Sequence, residues 1–141
     1  FKQLTFARVD DPFSSSDNLI NISKGRNIKF ENCVFKTATQ AYGVALAFNL
    51  SSYITVTHCS ADLMEKGIAI TGDASFQDSV YLIENNIFRN IHYWSIRAIN
   101  VNDSLIIRNN IITNDSINCP NGTSLGAQGI SCHLRADLRL F

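Results

Sequence analysis

The chain lacks both a net charge and any long apolar run. Its 141 residues contain 12 Lys and Arg and 12 Asp and Glu, so the formal charge is zero at pH 7. Without excess positive charge there is no electrostatic basis for binding nucleic acid or an anionic membrane surface. The longest apolar run is far below the roughly 18–20 residues that a membrane-spanning helix needs. The sequence therefore predicts no nucleic-acid partner and no membrane segment in this chain.

Common metal-binding and catalytic motifs are also missing. The 4 cysteines form neither a C-x-x-C pair nor zinc-type spacing with the 3 histidines. No phosphate-binding glycine loop, serine nucleophile elbow or catalytic acid pair is present. No segment carries apolar residues at helical spacing over three turns. These absences predict no metal site and no long helix, and the length predicts one domain over residues 1–141.

What the sequence does contain is a repeat with a period in the twenties. Its copies are NIKFENCVF (27–35), YITVTHCSA (53–61), VYLIENNIF (80–88) and SLIIRNNII (104–112). Aligning them places four apolar residues in one column, namely Phe30, Val56, Ile83 and Ile107. A repeat of this length is typical of a solenoid, in which each unit contacts only its neighbours.

A second repeat is interleaved with the first. Its members are NLINIS (18–23), GVALAF (43–48), GIAITG (67–72), SIRAIN (95–100) and GISCHL (129–134), three of which open with glycine. Alternating apolar residues predict strands with one buried face. We therefore predict an all-β solenoid of four to five coils. The strand pattern begins at Phe1 without a polar cap, which suggests further coils of a longer parent chain.

Two inward columns are expected at the corner of each coil. Asn86 and Asn110 occupy one position on consecutive coils, where stacked amides can hydrogen-bond along the axis. Cys33 and Cys59 continue that column, either as free thiols or as a bridge between coils. In the next column Ala61 separates two phenylalanines, which should leave space or draw in a neighbour.

The blocks FENCVF, LIENNIF and IIRNNII, alternating with YGVALA, KGIAIT and QGIS, resemble parallel β-helix repeats of the pectin-lyase-like superfamily. The resemblance implies a right-handed helix of three sheets with an asparagine ladder, and a carbohydrate cleft lined by the second repeat. Its members include polysaccharide lyases, glycoside hydrolases, epimerases and non-enzymatic ectodomains. The stretch CVFKTATQAYGVALAFNLSSYITVTHC, followed by KGIAITG, also resembles the β-helix region of fibrocystin-like receptors.

The resemblance does not carry an activity with it. The acid pair of polygalacturonases is matched only by Asp10-Asp11 near the first strand, and their Gly-His-Gly is absent. Calcium-dependent pectate lyases need clustered carboxylates, whereas the acids here are scattered. No cofactor is therefore expected, and calcium has no carboxylate cluster to support it.

Candidate site residues come from the outward positions of the second repeat. These form two columns, Asn21, Ala45, Ala69, Arg97 and Ser131, and Ser23, Ala47, Thr71, Ile99 and His133. With Asp73 just beyond, Arg97 and His133 are the titratable members, and a lyase needs a base and a cation. The alternative is a solvated pair of Arg97 and Asp73, worth under about 1 kcal/mol.

Aromatic residues and glycosylation sequons complete the candidates. Tyr93 and Trp94 could stack on sugar rings beside Thr71, or could cover the adjoining coil. Five Asn-Xaa-Ser/Thr sequons occur, at Asn21, Asn49, Asn102, Asn114 and Asn121. They predict an extracellular or secreted glycoprotein, although an Asn-rich chain also makes sequons by chance.

The leading hypothesis from the sequence is an extracellular β-helix module that binds, and in one version processes, polysaccharide or glycan. An enzyme of this kind would be a lyase, a glycoside hydrolase or an epimerase. The alternative is a structural or receptor ectodomain segment without an active site.

Overall fold

A computed structural model describes residues 1–8, 18–37, 43–73, 79–113, 128–133 and 138–140. Within these ranges the chain is all-β, contains no helix and forms three parallel sheets stacked as a β-solenoid. The predicted fold class is therefore confirmed. The described stretches trace about three turns, slightly fewer than the four to five predicted coils.

The strands visit the three sheets in a fixed rotation. They are β1 (Thr5–Arg8), β2 (Asn18–Ser23), β3 (Arg26–Glu31), β4 (Val34–Thr37), β5 (Val44–Asn49), β6 (Ser52–Thr57), β7 (Ser60–Asp62), β8 (Lys66–Thr71), β9 (Val80–Glu84), β10 (Ile87–Arg89), β11 (Trp94–Ile99), β12 (Ser104–Arg108), β13 (Ile111–Thr113), β14 (Gln128–His133) and β15 (Leu138–Leu140). Sheet I contains β1, β4, β7, β10 and β13, sheet II contains β2, β5, β8, β11 and β14, and sheet III contains β3, β6, β9, β12 and β15.

The register of sheet III reproduces the first repeat. Phe30 pairs with Val56, Val56 with Ile83, and Ile83 with Ile107. All four side chains are at most 3% exposed. Residues about two dozen positions apart are thus axial neighbours, as the period predicts.

The corner between sheets III and I accounts for three of the 15 asparagines in the chain. On successive coils one residue at this corner has φ between 54° and 56°, namely Gln3, Asn32, His58, Asn85 and Asn109. Asparagine tolerates this left-handed conformation better than most residues. The amide of Asn32 donates to the carbonyl of Thr57 at 3.2 Å, and that of Asn85 to Arg108 at 3.2 Å. Each corner is therefore tied to the next coil.

The predicted asparagine ladder lies just after this corner, inside the solenoid. Asn110 Oδ1 accepts from the backbone amide of Asn86 at 2.9 Å and from its Nδ2 at 3.0 Å. Asn86 Oδ1 accepts from the amide of Cys59 at 2.8 Å, and Cys59 Sγ accepts from that of Cys33 at 3.4 Å. Both cysteines are free thiols, so the thiol alternative is confirmed for this pair.

The core next to the ladder is rich in aromatic rings. Phe30 contacts Phe35 and Phe48 edge to face, with ring centroids 6.0 and 6.1 Å apart. Ala61 follows Phe35 in the sheet I register and precedes Phe88. Beside it lies a small apolar cavity of about 10 Å³. Of the two predicted alternatives, the small residue leaves space.

Both predicted outward columns of sheet II are wrong at β5, where Ala47 and Asn49 stand in place of Ala45 and Ala47. Ala45 was expected to face outward, but it is 1% exposed and lines the cavity with Phe35 and Phe88. The cause is a break in the pairing before Leu46, which makes two consecutive residues of β5 face the interior. Gly67 lies at the equivalent place on the next coil, and a Cβ there would be 2.3 Å from the carbonyl oxygen of Ser95. The register pairs Val44 with Lys66 and Ala47 with Ala69, so aligning Gly43 with Gly67 displaced both outward rows by two residues in β5.

Replacing Asn86 with alanine should destabilise the solenoid. Asn86 is 1% exposed, and the change would leave the amide of Cys59 and the carbonyl of Val56 without their present partner. We expect the free energy of unfolding to fall on the order of 3 kcal/mol, measured by urea titration. Asn21→Ala, the same change at an exposed position, should alter it by less than about 0.5 kcal/mol. Equal effects of the two substitutions would contradict a stabilising ladder.

Stability should also decrease at high pH. Burial raises the pKa of Cys59 from 9.0 to about 11 and that of Tyr81 from 10.0 to about 12. A raised folded pKa means that the stabilisation is complete below pH 9 and is lost as the pH rises through 11 and 12. Urea titrations at several pH values between 9 and 12 should show the free energy of unfolding declining less steeply with pH for Cys59→Ala than for the parent chain. An equal decline of the unfolding free energy with pH in the two chains would refute a contribution of the Cys59 thiol to this loss of stability.

Candidate functional site

The outward face of sheet II carries two rows of side chains. The first row is Asn21, Ala47, Ala69, Arg97 and Ser131, and the second is Ser23, Asn49, Thr71 and Ile99, with His133 next to Ile99 in the backbone register. We refer to these two rows as the sheet II strip. Five strands at the usual spacing give it a length of about 19 Å. Small side chains occupy the middle of its first row, where Ala47 is only 6% exposed and Ala69 is partly exposed.

A cluster of cations and aromatic rings stands at the strip. The guanidinium carbon of Arg97 lies 4.5 Å from the centroid of the Trp94 ring, and Lys66 Nζ lies 5.1 Å from it. Tyr93 meets Trp94 edge to face, with centroids 5.6 Å apart. Lys66 Nζ is 5.9 Å from the Tyr93 ring. Cations over ring faces are attracted by the ring quadrupole, so the rings hold both positive charges in place.

Lys66 is fixed further by a shielded ion pair. Its Nζ lies 3.0 Å from Glu65 Oε1, and the two side chains are only 17% and 12% exposed. Glu65 Oε2 accepts from the amide of Gly43 at 2.9 Å. Gly43 has a φ of 117°, which glycine adopts readily. The carboxylate therefore joins the entry of β5 to the entry of β8.

The three predicted catalytic residues do not share a row. Arg97 pairs in register with Ala69 and Ser131, whereas His133 pairs in register with Ile99. Asp73 comes two residues after Thr71, beyond the end of β8, and its carbonyl accepts from Asn102 Nδ2 at 2.7 Å. The side chain of His133 lies outside the described part of the structure. Among the predicted binding residues, Thr71 is exposed in the second row and Trp94 contacts Arg97.

The sequence analysis did not identify Lys66 as a site residue. A signal for it existed, because Lys66 immediately precedes Gly67 at the position that Trp94 occupies one coil later. The structure pairs the two residues in register. Aligning KGIAI with WSIRAI would have placed a cation beside the tryptophan. Glu65, the residue before Lys66, was missed because this alignment was not made.

Three of the five sequons fall within the described residues. Asn21 is exposed, and its Oδ1 accepts from Asn49 Nδ2 at 2.8 Å on the neighbouring strand. Asn102 lies between β11 and β12. The predictions for Asn114 and Asn121 concern positions outside the described residues.

No further kind of site is found among the described residues, and no relative is identified. Among the residues described, no three His, Cys, Asp or Glu side chains are grouped to hold a metal ion. The described part of the chain also has no helix with the length and hydropathy to cross a membrane. Comparisons with protein-family models, curated proteins and solved structures found no match.

Replacing Glu65 with alanine should destabilise the chain more than removing an exposed acid. The substitution leaves Lys66 without its carboxylate and the amide of Gly43 without its acceptor. We expect a loss of about 2 kcal/mol in the free energy of unfolding by urea titration. Glu84→Ala is the control, because it removes a 2.7 Å pair with the half-exposed Arg108 and should cost under about 1 kcal/mol. A smaller loss for Glu65→Ala than for Glu84→Ala would contradict this prediction.

Proposed function

We propose that this chain is a saccharide-binding β-solenoid module and that an acidic saccharide lies along the sheet II strip. The observation that carries the proposal is the pairing of Arg97 with Trp94 at 4.5 Å beside a row of small side chains. A positive charge held on a ring next to a row of small side chains suits a ligand with a negative charge and a sugar ring.

Arg97 is the principal anion-binding group in this proposal. Its planar guanidinium offers two parallel N–H donors to a carboxylate or sulfate, a geometry that lysine lacks. Contact with Trp94 reduces the freedom of the side chain before binding, which lowers the entropic cost of association. The neighbouring positions Ala69 and Ser131 are small, so a sugar ring can approach the backbone closely.

The other predicted binding residues support Arg97 in the proposed site. Trp94 carries Arg97 and Lys66 on its ring, so its role is to position the cations. Tyr93 meets it edge to face and extends the aromatic surface. Thr71 contributes an exposed hydroxyl in the second row, one strand from Ile99. Tyr93 and Trp94 thus lie at the start of the strands, and Thr71 lies at their other end, because Trp94 pairs with Lys66 and Ile99 with Thr71.

Binding is better supported than processing of the ligand. A general base must come within about 3 Å of the proton it removes. Arg97 is aligned with Ala69, whereas Asp73 follows four residues later, which is about 13 Å of extended chain. The register gives no acid or base directly beside Arg97 in the first row. We therefore propose recognition as the function, with lyase, hydrolase or epimerase activity less well supported.

The proposal extends to kinship and location. The three parallel sheets and the ladder of Asn86 and Asn110 support kinship with the pectin-lyase-like superfamily. A polysaccharide partner and the sequons support an extracellular or secreted location. A receptor ectodomain segment is the second candidate, and the observation that favours it is the exposed Asn21 in the first row. A glycan there would obstruct a long polymer.

Substituting Arg97 tests the proposal directly. In a glycan array followed by calorimetry on the unglycosylated chain, we expect an acidic oligosaccharide to bind and Arg97→Ala to weaken binding about tenfold to a hundredfold. That range corresponds to the roughly 1.5–3 kcal/mol of a hydrogen bond to a charged group. Arg89→Ala, which removes an exposed cation on sheet I, should leave affinity unchanged. Absence of binding, or equal losses in both variants, would exclude the sheet II strip as the site.

A further inference from the structure

The three described sequons present their acceptor groups very differently. N-glycosylation requires an accessible asparagine amide and a readable hydroxyl two residues later. The sequence motif is the same in each case, so the fold decides which of them an enzyme can use. Their burial, hydrogen bonds and strand positions distinguish them.

The sequon at Asn21 is open in the folded chain. Asn21 and Ser23 are both exposed. The hydrogen bond from Asn49 uses Oδ1 of Asn21 and not Nδ2, the atom that a glycan modifies. Strand β2 also ends the described order of sheet II, where β5 is its neighbour.

The sequon at Asn49 is closed by comparison. Its hydroxyl belongs to Ser51, which is 0% exposed. Ser51 Oγ accepts from the amide of Gly25 at 3.1 Å and lies 3.1 Å from the carbonyl of Asn49. The carbonyl of Ser51 in turn accepts from the hydroxyl of Tyr81. Strand β5 is paired on both sides, with β2 and β8. Reaching this hydroxyl requires opening of the coil.

The sequon at Asn102 is engaged in the structure as well. Asn102 Nδ2 donates to the carbonyl of Asp73 at 2.7 Å, and the backbone amide of Asn102 donates to Ser79 Oγ at 3.1 Å. Its hydroxyl residue, Ser104, opens β12, which lies between β9 and β15. The reactive nitrogen is therefore already used to join two loops.

We propose that Asn21 is an N-glycan acceptor in the folded chain, whereas Asn49 is modified only before its coil closes. Transfer forms a bond between Asn21 Nδ2 and the anomeric carbon of a lipid-linked oligosaccharide. The bond from that carbon to the pyrophosphate oxygen breaks, and lipid pyrophosphate and one proton from Nδ2 are released. The donor is thus a lipid-pyrophosphate oligosaccharide, a co-reactant of secretory compartments. The inference concerns acceptor chemistry and does not rest on saccharide binding by the sheet II strip, and a glycan at Asn21 would favour the receptor-segment candidate over a long polymer on that strip.

The test compares the folded chain with unfolded peptides. Unglycosylated full chain, made in bacteria, is incubated with a purified oligosaccharyltransferase and a lipid-linked oligosaccharide, alongside peptides covering 18–25 and 46–53. Glycopeptide mass spectrometry measures the rate at each asparagine. We expect Asn21 to react within about threefold of its peptide, and Asn49 at least about tenfold slower than its peptide, since opening it costs 1.4 kcal/mol or more.

Ser23→Ala is the matched control, because it removes the sequon while keeping Asn21 and its hydrogen bond from Asn49. Ser23 is exposed, so this variant should keep the urea midpoint of the parent and lose modification at Asn21. Modification of Asn49 in the folded chain as fast as in its peptide would overturn the inference. Absence of modification at Asn21 where its peptide reacts would do the same.

Discussion

The axial hydrogen bond between neighbouring coils is the interaction on which the structure depends. Parallel strands stack at about 4.8 Å, so each backbone amide finds its acceptor one coil away. At the corners, where strand pairing stops, the same spacing is maintained by other groups. Asn86 reaches Asn110 through its amide, and Asn85 reaches Arg108 through its backbone. The polar groups of the corner are thereby satisfied inside an apolar core.

The candidate site follows from this stacking. Lys66 and Trp94 are 28 residues apart along the chain but adjacent across sheet II. Arg97 reaches the same ring from three residues along its own strand. A rigid sheet therefore positions a cation cluster that no local sequence motif encodes. The same register places the exposed Asn21 in the row of Arg97, three strands away.

Sequence periodicity predicted the fold well because burial is a strong and regular signal. The column of Phe30 and Val56 and the ladder of Asn86 were recovered from spacing alone. Ala45 was misplaced because two consecutive inward residues break the alternation on which strand prediction rests. Lys66 was missed because a lysine before a strand usually remains in solvent. Its shielded pairing with Glu65 depends on a glycine amide from the previous coil, which spacing does not reveal.

The corner residues have a consequence for how such a molecule can change in length. The backbone amides of the left-handed Asn32 and Asn85 each donate to the coil directly next to them. A duplicated coil would bring its own corner and its own pair of donors and acceptors, and would leave every older contact intact. The architecture is therefore suited to elongation by tandem duplication, in which a rod gains length one layer at a time without redesign of its interior.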